Sequence, residues 1–258
     1  MDVRLGRVTE PPSVIGRAAQ VLRALSQRGA EGDTTTALAR QVGLPRTTTH
    51  RLLEALFAEG LADRDPRSGR WHLGPELYVL GMAASQRYDL TNEARLSLRR
   101  LARETGESAF FSVRRGDETV VLLREDGDFP IRSYVLYEGA RFPLGVVSAG
   151  LVVLAYLSDR EIDEYLARTD LQSRWGVSHS EAAIRDRLAA TRADGWSLNP
   201  GLIVEGSWGM AAAVFDAAVS PGWALTITGI ESRFRPERQP VLGRLLLEEA
   251  HRLTRLVA

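Results

Sequence analysis

The 258-residue sequence predicts an α+β chain in two parts. A helical head ending in a short hairpin precedes a larger mixed α/β body built on an antiparallel sheet. Three observations carry this reading. Before residue 90 the apolar residues recur almost entirely at helical spacing. Beyond it, runs of period-two alternation separate the helical segments. The charge changes at the same place, with 12 Arg against 9 acidic residues in 1–88, and 21 Arg against 24 acidic residues in 89–258.

The head is read in order. Residues 1–12 form a flexible arm closing on Pro11–Pro12. Ser13 suits the N-cap of a helix carrying Val14, Ala18, Val21, Leu22 and Leu25. After a break at Gly29–Asp33, Thr35 or Thr36 is expected to cap a second helix with Leu38, Ala39 and Val42. Gly43 ends it, Leu44–Pro45 turns the chain, and a third helix runs from Arg46 to the stop at Gly60. Leu61–Arg64 and Arg70–Leu73 read as strands around the turn Asp65-Pro-Arg-Ser-Gly69. Residues 13–74 thus make a winged helix-turn-helix, and 75–90 a linking helix through Glu76, Leu77, Leu80 and Ala84.

In the body, 91–258, helices are expected at Asn92–Glu104, Ser148–Leu157, Glu161–Ala167, Ser180–Asp194 and Pro236–Val257. Strands are expected at Glu107–Arg115, Glu118–Arg124, Pro130–Leu136, Trp208–Phe215 and Trp223–Gly229, with a short one opening at Gly195-Trp-Ser-Leu and a turn at Pro221–Gly222. Phe111, Val113, Val121 and Leu123 are placed on one side of the sheet.

Composition narrows the chemistry. Basic and acidic groups balance at 33 each, which excludes a uniformly basic coat but not a local basic face. Every basic residue is Arg, which excludes Schiff-base and P-loop lysines; with no Cys, thiol catalysis and cysteine metal sites are excluded too. Only His179 and His251 stand in the body. Nucleotide, zinc-protease and serine-hydrolase motifs are missing, so no catalytic residue, metal or cofactor is expected. No secretory signal opens the chain, and the apolar stretch Gly145–Leu157 is too short to span a bilayer. A cytoplasmic protein without membrane contact is expected.

Two regions carry binding chemistry. The start of the third helix, Arg46, Thr47, Thr48, Thr49, His50 and Arg51, is short, polar and basic, suited to phosphates and base edges of double-stranded DNA. Arg64, Arg67 and Arg70 in the wing suit phosphate or minor-groove contact; Arg40 is read as a solvated charge. In the body, small residues at Ser148, Ala149 and Gly150 leave helix-start N–H groups available to a carboxylate. Alternation puts Thr226 and Thr228 on one face of a strand, two hydroxyls able to hold a ligand oxygen. Arg132 is read as a solvated strand arginine, with a carboxylate partner as the alternative.

The segment Leu44-Pro-Arg-Thr-Thr-Thr-His-Arg-Leu-Leu-Glu-Ala-Leu56 and its continuation, Gly60-Leu61 to Arg70-Trp-His-Leu-Gly74, resemble the IclR family of bacterial transcriptional regulators. The resemblance extends over nearly the whole chain. It implies a GAF-like, effector-binding C-terminal domain that also assembles dimers or tetramers, with the linking helix contributing to dimerisation. It implies a pocket in which Pro143–Gly150 supplies Ala149, counting back from Met210-Ala-Ala-Ala-Val-Phe-Asp216 supplies Gly209 and Asn199, and Thr226-Ile-Thr-Gly229 stands where Ser-x-Ser-Gly is usual. Leu151 stands where Lys is usual and Gly145 where His is usual, while Trp208 and Trp223 add bulk nearby. A larger aliphatic or partly aromatic organic acid therefore fits better than a very small polar one. The alternatives are a vestigial pocket in a ligand-independent regulator, or an enzyme domain fused to a DNA-binding head.

Overall fold

The computed structural model describes residues 13–85 and 90–257. The expected arm at 1–12, and residues 86–89 at the end of the linking segment, lie outside them. The chain divides into two compact units, 1–88 and 89–258.

In the first unit, α1 (Val14–Ser26) starts as its cap residue requires, the Ser13 hydroxyl accepting from the Gly16 N–H at 3.1 Å. The next helix, α2 (Thr35–Val42), is capped by Thr34, one position before the expected residues: its hydroxyl accepts from the Ala37 N–H. Gly43 ends α2 in the left-handed conformation at φ 70°, which L side chains rarely adopt. The tight turn delivers α3 (Arg46–Ala58) across α2. Val21, Leu25, Leu38 and Leu53 bury completely between the three helices, with Trp71 closing the cluster. Strands β1 (Ala62–Arg64) and β2 (Trp71–Leu73) pair antiparallel, and α4 (Pro75–Ser85) follows.

The second unit runs α5 (Leu90–Thr105), β3 (Ser108–Arg115), β4 (Glu118–Glu125), β5 (Arg141–Pro143), α6 (Ser148–Ala155), α7 (Asp159–Arg168), α8 (Gln172–Trp175), α9 (Glu181–Asp194), β6 (Ser197–Pro200), β7 (Ser207–Phe215), β8 (Pro221–Ile230) and α10 (Gln239–Val257). Its six strands form one antiparallel sheet in the order β5-β4-β3-β8-β7-β6. Both faces are covered. Leu98, Leu246 and Leu253, from α5 and α10, pack on Phe111, Leu225 and Ile227. The wholly buried helix α6 belongs to a second core with Phe110, Ala211 and Ala224 on the opposite face.

Three expectations fail for identifiable reasons. Pro130–Leu136 is not a strand. Its side chains are committed elsewhere, Arg132 to Asp126 and Ser133 to Ser207, and the edge partner of β4 is Arg141–Pro143 instead. Val121 and Leu123 do not share a face. The β3–β4 register passes from Phe111↔Leu123 to Ser112↔Val121, so Leu122 is extra and the bulge turns Val121 toward α6 while Leu123 stays toward α5. Pro221–Gly222 lies inside β8; the turn is Asp216–Ser220, where the Asp216 carboxylate accepts from the N–H groups of Ala218 and Ser220 at 2.9 Å each.

Candidate DNA-binding surface and effector pocket

Pro45 precedes α3 without a side-chain cap, and the polar residues that follow divide between solvent and core. Arg46, Thr47, His50 and Arg51 are exposed and Thr48 is half-buried. Thr49, expected at the DNA surface, faces the core instead. It is completely buried, and its hydroxyl donates to the Pro45 carbonyl at 3.1 Å. It sits on the same side of α3 as the core residues Leu53 and Leu56, and so faces inward with them. Thr49→Val is therefore expected to leave DNA affinity within about twofold of wild type. Its stability cost is about 1 kcal/mol, the net worth of one hydrogen bond. Fluorescence anisotropy and thermal melting check the two parts.

The hairpin is tied to α3 by charge and stacking. Glu54 stands 3.8 Å from His50 Nε2 and 3.9 Å from Arg64 Nη1, while the Arg64 guanidinium lies 5.3 Å from the centre of the Trp71 ring. Glu54 was missed in the sequence, although its place one turn after His50 is the signal that finds it. Arg70 donates to the Gly32 carbonyl at 3.2 Å, which fixes its direction, and Arg67 is exposed at the hairpin tip. Asp65 builds that tip. Its carboxylate accepts from the Ser68 N–H at 2.6 Å, the Arg67 N–H at 2.9 Å and the Ser68 hydroxyl at 2.9 Å. These bonds, led by those from Ser68, hold its pKa below the ordinary carboxylate value. Because the folded-state pKa is lowered, the stabilisation is complete above the ordinary carboxylate range and is lost as pH falls through the lowered value. Asp65→Ala is expected to loosen the tip and weaken DNA binding severalfold while lowering the melting temperature only slightly; anisotropy together with circular dichroism checks this.

In the second unit the sheet brings the residues expected to bind an effector into cross-strand rows. Asn199, Gly209, Thr228 and Ser108 are successive partners across β6, β7, β8 and β3; Ser197, Ala211, Thr226 and Phe110 form the neighbouring row. Cross-strand partners share a face, so both rows look toward α6. A Cβ on Gly209 would stand 3.1 Å from the Ser148 hydroxyl and 3.5 Å from the Thr228 methyl, so this glycine brings the sheet close to the start of α6. The approach is held from β6: Asn199 Nδ2 donates to the Val146 carbonyl at 2.9 Å and the Ser197 hydroxyl to the Ser148 carbonyl at 2.8 Å. Asn199 also accepts from the Leu202 N–H at 3.1 Å, which occupies it on both sides as a loop anchor. His179 Nε2 meets the same Val146 carbonyl at 3.2 Å, and burial lowers its pKa.

Around Gly209 the polar groups are not all satisfied. Thr226 is 0% and Thr228 6% exposed, and both hydroxyls lack a hydrogen-bond partner, as does that of Ser112 on the same face. Ser148 and Ala149 are buried at the start of α6, where the first N–H groups have no partner within the helix. Helix-start N–H groups near buried hydroxyls that lack partners are chemistry suited to a carboxylate or another oxygen-rich group. Trp208 and Trp223 point away from these groups. Alternation with Gly209 and Ala224 turns both to the opposite face, where they pack against the α5 and α10 core. Among the described residues no helix is long and apolar enough to cross a membrane, and no group of three or more His, Asp or Glu could hold a metal ion.

Comparison with known proteins places the whole chain. The pattern described as "IclR helix-turn-helix domain" matches residues 14–66, and that described as "Bacterial transcriptional regulator IclR C-terminal" matches residues 82–255. The chain is 32% identical over 228 residues to the glycerol operon regulatory protein of Streptomyces griseus, covering 87% of each chain. It superposes on an IclR transcriptional regulator from Alicyclobacillus acidocaldarius with a TM-score of 0.77 and 25% identity, covering 97% of this chain and all of the other. An IclR homologue from Microbacterium hydrocarbonoxydans, complexed with 4-hydroxybenzoate, shares the fold at a TM-score of 0.74 and 22% identity, covering 94% and 98%. With both patterns found in order along one polypeptide, the chain belongs to the IclR family of DNA-binding bacterial transcriptional regulators.

Proposed function

We propose that this regulator is a cytoplasmic, non-catalytic sensor of an organic acid that binds operator DNA and self-associates as a dimer or tetramer. The first unit acts as a winged helix-turn-helix. The start of α3 presents Arg46, Thr47, Thr48, His50 and Arg51 to the major groove, which admits one α-helix. Arg67 and Arg70 meet the backbone or minor groove. The twofold axis of a dimer calls for a roughly palindromic operator. Self-association is supported by α4, where Tyr78, Val79, Leu80 and Met82 are all more than half exposed.

The second unit, read as GAF-like, takes the effector between the start of α6 and the rows of β7, β8 and β3. Ser148, Ala149, Gly209, Thr226 and Thr228 form its wall, and Asn199 holds the loop that carries it. The observation that carries this reading is the pair of buried, unpartnered hydroxyls at Thr226 and Thr228. A bound acid would shift the DNA-binding equilibrium only by its differential affinity for the two arrangements of the dimer. The 4-hydroxybenzoate held by the Microbacterium hydrocarbonoxydans homologue makes aromatic acids the first to try.

The test is a thermal-shift screen of the full chain over aliphatic and aromatic carboxylic acids, followed by anisotropy with a DNA duplex selected from a random library. An acid at 100 times its Kd adds about 2.7 kcal/mol to stability and changes DNA affinity. No shift with any acid would favour the ligand-independent regulator. Turnover of an acid by the purified chain would favour the enzyme.

A further inference from the structure

The row of pocket residues does not end at Thr228. Its next member, Ser108, leads to a charged cluster at the pocket rim. The Ser108 hydroxyl stands 3.5 Å from Asp126 Oδ1. Arg124 Nε donates to the same oxygen at 2.6 Å, and Arg132 Nη1 donates to Asp126 Oδ2 at 2.9 Å. Two guanidinium groups therefore share one carboxylate. Among the described residues no other carboxylate forms an ion pair with either of them. One positive charge is left over, with guanidinium N–H groups still free to donate.

The cluster belongs to the pocket face of the sheet. Arg124 pairs across β3 with Phe110, and its guanidinium lies 6.0 Å from the centres of both the Phe110 and Tyr134 rings. The segment carrying Arg132 crosses the same face to β7, where the Ser133 and Ser207 hydroxyls meet at 2.6 Å. The side chains of Arg124 and Arg132 are 24% and 34% exposed, so water and ligand reach them without unfolding. Ser108 stands two strands from Gly209, about 10 Å at ordinary strand spacing.

From this geometry we infer that the pocket is bipolar, with a second anion subsite at Arg124 and Arg132. The ligand is then a dianion, a dicarboxylate long enough to join the start of α6 to the rim. One carboxylate takes the α6 N–H groups and the Thr226 and Thr228 hydroxyls. The other takes the spare guanidinium N–H groups, in the paired geometry that suits arginine. Asp126 holds the two arginines in place while neutralising only one of them. This rests on the effector-pocket reading above and adds to it the charge and length of the ligand.

Titration calorimetry on the full chain tests it with two matched pairs, benzoate against benzene-1,4-dicarboxylate and hexanoate against hexanedioate. In at least one pair the dicarboxylate is expected to bind about tenfold tighter or better. Arg132→Gln is expected to erase that preference while leaving monocarboxylate affinity within about twofold. Arg132→Lys, which keeps the charge but not the paired donor geometry, is expected to retain only part of it, and melting curves verify that each variant is folded. Equal binding within both pairs, or a preference unchanged by Arg132→Gln, overturns the second subsite and leaves the first standing. Failure of all four acids to bind overturns the effector-pocket reading and this inference with it.

Discussion

Replacing Thr226 and Thr228 together by valine is expected to stabilise the ligand-free chain and to destroy acid binding. Valine matches threonine in shape and removes a hydroxyl that has no partner in the folded core. A buried, unsatisfied polar group costs about 1–3 kcal/mol, and replacing it with an apolar isostere recovers part of that. In a domain of this size each 1 kcal/mol raises the melting temperature by about 2–4 °C. The double variant is therefore expected to melt several degrees higher without ligand. In the proposed acid complex the same hydroxyls would make charge-assisted hydrogen bonds, each worth about 1.5–3 kcal/mol. Their loss is expected to weaken binding by about a hundredfold or more, since 1.4 kcal/mol is a factor of ten. Differential scanning calorimetry and titration calorimetry read the two halves. A fall in melting temperature would mean that the hydroxyls serve the fold, and unaltered binding would put the pocket elsewhere. The opposite signs matter, because stability held back for function is the signature of a site rather than of ordinary packing.

The second large effect is on DNA. Arg51→Ala combined with Arg67→Ala is expected to lower affinity for a library-selected duplex about tenfold to a hundredfold at physiological salt, and to reduce the slope of log K against log salt. Each phosphate contact contributes about 0.9 to that slope, so losing two per subunit lowers it by about 2 per subunit. Both side chains are exposed, so the fold is not at stake. Since the chain carries no net charge, affinity depends on where the arginines stand. An unchanged slope would remove both residues from the interface.

Much of the candidate site was legible in the sequence. Capping, the glycine turn at Gly43 and the spacing of Val21, Leu25, Leu38 and Leu53 are local signals, and they locate the three helices of the head to within a residue or two. Alternation around Ile227 correctly paired Thr226 with Thr228 on one face. The resemblance was strongest where the motifs were densest, at α3 and the hairpin.

The failures had two origins, helix phase in one and strand pairing in the other. Thr49 lies in a run of polar residues that reads as an exposed surface, yet helix phase turns it to the core, where the Pro45 carbonyl satisfies its hydroxyl. Val121 and Leu123 are two apart and should share a face. One extra residue against β3 separates them, and only the pairing of two strands can define an extra residue.

The sequence by itself determined the two-part organisation, the helix-turn-helix, the exclusion of lysine and cysteine chemistry and the two threonines of β8, because caps, turns and periodicity act within a few residues. The tertiary structure alone decided that Gly209, Ser148 and Thr228 meet and that Ser108 leads on to Asp126, Arg124 and Arg132. Those groups come from strands and loops far apart in the chain. Their meeting is set by sheet order and by the burial of α6 on one face, which no local pattern of residues encodes.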